Sequence, residues 1–276
     1  MAFTLLLAVL FVLVPFLFWR GTWFGQPLSE EETGRYLADT QKPRKTQHAL
    51  VRVAERIQRG DPTVKRWYPQ VRALATHPAP EIRVVVAWVM GQDNQSPEFH
   101  TALIELLKDP DPLVRRNAAL SLVRFGDTNG KPELLRMLQP YPVETPRAGT
   151  FSIRLKEEDT VNPGTLLARI ATAEEQPFEL RSPLPGRVER WLARDGQQVA
   201  AGDAVVLLSP SEEQVWEALR ALYLVGDVDD LPEIETYASG VKGMPEKVRV
   251  QASLTAEAIR RRAAQQSERL GKKGPG

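Results

Sequence analysis

The sequence predicts a multidomain α plus β protein: an N-terminal transmembrane helix, then an α-solenoid interrupted by a small all-β domain. Three observations carry that prediction. Residues 2–19 contain no charged side chain, and at about 1.5 Å per residue such a helix just spans a thin hydrocarbon core. The stretch 80–91 recurs 32 residues later as 112–123, and a fixed period of that size means stacked helical hairpins. A half-motif, Gly149-Thr150-Phe151 leading to Val161-Asn162-Pro163-Gly164, returns as Gly186-Arg187-Val188 leading to Val199-Ala200-Ala201-Gly202.

The 276 residues are 42% hydrophobic, enough for two or three real cores. Lysine and arginine (36) nearly cancel aspartate and glutamate (35), so charge gives no argument for a nucleic-acid partner, and none is expected. The absence of cysteine excludes disulfides, thiolate zinc sites and a cysteine nucleophile.

Residues 1–24 are expected to be an uncleaved single-pass anchor. No basic residue precedes Ala2, and Trp19-Arg20-Gly21-Thr22-Trp23-Phe24 follows where a signal peptide would carry small residues. Leu5, Leu10, Phe11 and Phe16 would face lipid, with Trp19 and Trp23 at the interface. The basic residues after the span, Arg20, Arg35, Lys42, Arg44 and Lys45, point to a membrane-bound protein with a cytoplasmic body. A polar connector is expected over 25–44.

Helical repeats follow over 45–144. In the copy at 109–127, Asp109-Pro110-Asp111-Pro112 suits a turn and a first helical position. Val114, Ala118, Leu122 and Phe125 share one face, and Gly126-Asp127 closes the helix. Six residues between Ala118 and Glu133 reappear 100 residues later between Ala218 and Glu233, and Val225 stands in for Phe125. The helices therefore resume over 211–262, and 145–210 reads as an insertion within one repeat. A flexible basic tail is expected over 263–276, carrying Arg269, Lys272 and Lys273 after Arg260-Arg261-Arg262.

Inside the insertion, 151–155, 166–170, 178–180, 188–192 and 204–208 read as strands separated by Pro- and Gly-rich turns. The two similar halves suggest two interlocked sheets.

No constellation predicts catalysis. His48, His77 and His100 are scattered without a second ligand at metal spacing, and no phosphate-cradling or nucleophile-elbow motif occurs. Arg83, Arg115 and Arg116 read as repeat-structural arginines that pack against or pair with turn carboxylates. No enzyme activity, cofactor or metal is expected.

Two resemblances sharpen these readings. Residues 109–127 resemble the HEAT-repeat family, whose second helix reads D-P-x-V-R-x-x-A-x-x-A-L-G. Residues 182–209, SPLPGRVERWLARDGQQVAAGDAVVLLS, are similar to the lipoyl/biotinyl-type barrel-sandwich hybrid, a half of which also occurs in membrane-fusion adaptors of efflux systems. A carrier of that family needs a lysine at the tip of the hairpin joining the halves. Here Glu174 and Glu175 occupy that position, and Lys156, the module's one lysine, lies in the first half. The resemblances imply a non-enzymatic membrane scaffold that binds proteins through its repeats and its module, with Glu174 and Glu175 at a possible partner contact. The partners would be the lipid bilayer and unidentified proteins such as a transporter. An export-complex adaptor with a periplasmic body is the alternative, and a lipoyl or biotin carrier the second alternative.

Overall fold

The computed structural model describes residues 28–39, 41–172 and 176–271. The expected anchor, with Leu5, Leu10, Phe11, Phe16, Trp19 and Trp23, lies outside them, as do the hairpin-tip residues Glu174 and Glu175 and the terminal Lys272 and Lys273. Among the described residues, no helix is long and apolar enough to cross a membrane. The chain divides into two units, 1–93 and 94–276.

The first unit is helical. Where a connector is expected, Glu30–Ala38 forms a helix, α1, started by a reciprocal capping box: the Ser29 hydroxyl accepts from the Glu32 amide, and the Glu32 carboxylate accepts from the Ser29 amide. Tyr36 and Leu37 are buried, and α1 packs on α2 (Pro43–Gln58). A 3₁₀ turn over Pro62–Trp67 leads into α3 (Tyr68–Ala73) and then α4 (Pro80–Met90). Leu50, Val53, Val71, Ile82, Val86 and Met90 are buried.

The second unit opens with α5 (Pro97–Leu106) and α6 (Pro112–Val123). Proline occupies the first helical position of each, and Ser96 and Asp111 cap them from outside. A short α7 (Lys131–Arg136) follows. The chain then leaves the helical layer and returns as α8 (Glu212–Val225), α9 (Leu231–Ser239) and α10 (Glu246–Gly271). The helices on either side of this excursion share one core. Leu134, Met137 and Leu138 are clustered with Val215, Leu219, Leu222, Ile234 and Ile259. The Tyr237 hydroxyl donates to the Leu138 carbonyl at 2.6 Å, and Lys131 pairs with Asp230 at 3.3 Å. Where a flexible tail is expected from 263, α10 continues to Gly271: Ala256, Ala258 and Ile259 are buried, and the run that follows to Glu268 is rich in alanine, arginine, glutamine and glutamate, which favour a helix.

The excursion is an all-β module of two four-stranded antiparallel sheets. One has the order β1 (Tyr141–Glu144), β8 (Ala204–Pro210), β6 (Gly186–Trp191), β3 (Thr160–Val161). The other runs β5 (Phe178–Arg181), β4 (Leu166–Ala171), β2 (Gly149–Ile153), β7 (Gln198–Val199). Phe151, Leu167, Ile170, Val188, Val205 and Leu208 fill the space between them.

The two halves exchange partners. Gly149 of the first half pairs with Val199 of the second, and Val161 of the first with Gly186 of the second. Neither glycine tolerates a side chain: a Cβ would strike the Ala171 carbonyl at Gly149 and the Ser209 carbonyl at Gly186. Three residues before each valine the backbone is left-handed, at Glu158 (φ 72°) and at Gly196 (φ 78°).

Three strands are absent from the sequence reading. β1 begins at Tyr141, ahead of the boundary expected at 145, and contains Pro142. Proline ordinarily argues against a strand, yet β1 is at a sheet edge, where a missing N–H is tolerated. β3 and β7 are two residues each, too short to leave an alternating pattern.

Candidate functional site

The arginines of the helical repeat hold its turns. In α4, Arg83 Nη1 donates to the carbonyls of His77 (2.7 Å) and Pro78 (3.1 Å). In α6, Arg115 Nη1 donates to Asp109 (2.8 Å) and Pro110 (3.0 Å), the same offsets. Both arginines thus hold turn carbonyls, in addition to the packing or carboxylate pairing that the sequence suggested. Arg115 also reaches the buried Glu133 through Nε at 3.3 Å. In α10, Val248-Arg249 matches Val114-Arg115 of α6 in sequence, but Arg249 pairs with Glu246.

The histidines are engaged locally. His77 Nδ1 accepts from the Ala79 amide at 3.0 Å, and His100 Nε2 lies 2.6 Å from Asp127 with its ring against Phe125. Among the described residues, no group of histidine, aspartate and glutamate could hold a metal ion.

Two clefts open where the β module meets the helices of the second unit. The first, about 450 Å³, is walled by Leu138, Val241 and Met244 and carries charged groups from the module. Arg187 on β6 donates to Glu158 at 2.9 Å, and Glu189 accepts from the Ser209 hydroxyl at 2.7 Å. Burial, then the nearby Glu189 charge, pushes the Tyr237 phenol up to about 12, so it stays protonated at neutral pH and serves as a hydrogen-bond donor. Glu158 is the residue with left-handed backbone noted above. Strain of this kind is kept where the surroundings require it.

The second cleft, about 420 Å³, lies between α6, α8 and the module's Pro185. Arg116 lines it, 3% exposed. Its signal was present in the repeat: the copy 32 residues earlier has Val84 at this position, so a cation replaces an apolar side chain on a helix face that packs inward. Glu158 left a weaker signal, as the residue matching Gly196 in the second half-motif.

Residues 68–150 match the family model for HEAT repeats. The matched segment runs from α3 to the start of β2. No curated protein matches the chain.

The helices that follow the β module also present apolar side chains to solvent. On α10, Val250 and Leu254, one turn apart, are 47% and 48% exposed. On α8, Tyr223 and Leu224 are exposed as well. Leu254 follows Arg249 at the spacing of Leu120 after Arg115, and Leu120 is half-buried, so the exposure of Leu254 is particular to α10.

Proposed function

We propose that this protein is a non-catalytic scaffold that docks partner proteins on its HEAT repeats and on the inserted β module. The match of 68–150 to HEAT repeats carries the reading, because such helices bind proteins through extended surfaces without catalytic groups. The exposed Val250 and Leu254 on α10 support it, since paired apolar residues at helical spacing suit a partner's apolar face. In this reading the apolar stretch 2–19 tethers the body to a membrane, with the body on the cytoplasmic side, and the hairpin tip with Glu174 and Glu175 is a second contact for a partner.

The test is gentle detergent extraction of the tagged full-length protein, with mass spectrometry of what co-purifies. It is compared with Val250→Asp/Leu254→Asp and with a chain lacking 146–209. A stoichiometric partner lost with the α10 substitutions supports docking on the helices. Absence of any stoichiometric partner overturns the scaffold reading.

A second reading, an adaptor subunit of an export complex, draws on the similarity of 182–209 to membrane-fusion proteins and on the two interlocked sheets. It requires a periplasmic body and co-purifying transporter subunits that vanish with the module. Reporter fusions that place the C-terminus in the cytoplasm would remove it.

A further inference from the structure

The second cleft contains a cation whose hydrogen bonds the protein does not complete. Nε and Nη1 of Arg116 are buried and have no acceptor among the described residues. The nearest carboxylate, Glu133, is 3.8 Å from Nε and is shared, with Arg115 at 3.3 Å and Arg136 at 3.0 Å on its other oxygen. Three guanidinium groups around one carboxylate leave a surplus of positive charge, and a desolvated cation with unmet donors is costly. Burial lowers the Arg116 pKa to about 10, against the opposing pull of Glu133, so the group remains charged at neutral pH.

The same cleft holds an orphan of the opposite kind. Gln214 Oε1, in the first turn of α8, is buried and accepts no hydrogen bond among the described residues. Beside it on α8 are Glu213 and Glu217, which also line the cleft. Burial, and then the charge of Glu213, raises the Glu217 pKa, with Arg220 pulling the other way. Lys247, on the same rim, is already paired with Glu212 at 2.8 Å. Leu120, Met137 and Trp216 supply an apolar wall.

One part of the cleft thus calls for an anionic acceptor and another for a cationic donor. A simple anion would meet Arg116 but be repelled by Glu213 and Glu217, and a simple cation would meet the reverse. An internal peptide group brings one acceptor and one donor but no charge for either end. We propose that this cleft binds a free α-amino acid as its zwitterion, the carboxylate on Arg116, the ammonium on Gln214 and the α8 carboxylates, and an apolar side chain against Trp216. The site is independent of the scaffold reading, because a small ligand can bind whether or not a partner protein does.

The test uses the full-length protein in detergent micelles, titrated with each of the twenty amino acids by calorimetry and thermal shift. Every binder is compared with its carboxamide and its N-acetyl derivative, which remove one charge each. The expected result is binding by one or a few apolar amino acids, weakened at least about tenfold in both derivatives. Arg116→Lys should weaken binding similarly, since a point charge cannot reproduce the guanidinium donors. Because that substitution lies in the core, the surface variants Glu213→Gln and Glu217→Gln provide a second arm: each should weaken binding several-fold at unchanged circular dichroism. If no amino acid binds more tightly than about 1 mM, or if the derivatives bind as well as the parents, the proposal fails and ordered water is what completes Arg116.

Discussion

At the scale of single residues, the module's glycines and its strained Glu158 make opposite predictions. A Cβ at Gly149 meets the Ala171 carbonyl, and the Gly149 φ of 156° is one that L side chains rarely adopt. Gly149→Ala should therefore destabilise the module by more than about 1 kcal/mol, read as a lowered midpoint of near-ultraviolet circular dichroism in urea. Glu158 stands in the left-handed region at some cost, of order 1–2 kcal/mol for an L residue, against which its exposed pair with Arg187 offers little. Glu158→Gly should leave stability unchanged or raise it, and a lowered midpoint would show that the Arg187 contact matters more. Asp61 gives a pH prediction. Hydrogen bonds from the Thr63 hydroxyl and amide, and then from Arg56, lower its pKa from 3.8 to about 2. A carboxyl depressed on folding contributes stability that is full above about pH 4 and is lost as pH falls toward 2. Asp61→Asn keeps the helix cap but not the charge, so acid unfolding of the first unit, followed by hydrogen exchange in α2, should show a shallower slope between pH 4 and 2.

At the scale of elements, the repeat is defined as much by its arginine as by its apolar stripe. Arg83→Ala and Arg115→Ala each release two turn carbonyls from a charged donor, and each should cost about 1–3 kcal/mol. Arg115→Ala should cost more, because it also removes a partner of the buried Glu133; equal midpoints for the two variants would refute that ranking. Most of the elements could be read in advance for physical reasons. Prolines at first helical positions and a constant 32-residue period mark α4 and α6, and turns rich in proline and glycine bracket the longer strands. What escaped followed from context. The capping box Ser29-x-x-Glu32 was visible, but its acidic run looked like solvated connector; only burial of Tyr36 and Leu37 makes α1 worth its ordering cost. Arg116 looked like its neighbour Arg115, and only the repeat tells them apart, with Arg83 standing at the position of Arg115 and Val84 at that of Arg116. The cleft itself draws on residues about a hundred positions apart, from α6 and α8, which no local pattern links.

At the scale of the molecule, the helices before and after the module hold one core in common, so the module should be dispensable to them. Replacing 141–210 by a short Gly/Ser linker is expected to keep the helical circular dichroism and a cooperative unfolding transition; loss of cooperativity would show that the module is part of the helical core. The pairing of the module's first strand with its last has a further effect on those helices. Tyr141 lies opposite Leu208, so the folded module works as a clasp that returns the chain close to where it departed. Without it, α7 and α8 would have to find each other across a loose loop of roughly 70 residues, whose closure costs about 2 kcal/mol more in chain entropy than a loop of about six. A substitution that unfolds the module, and with it this clasp, therefore weakens helices that it never touches.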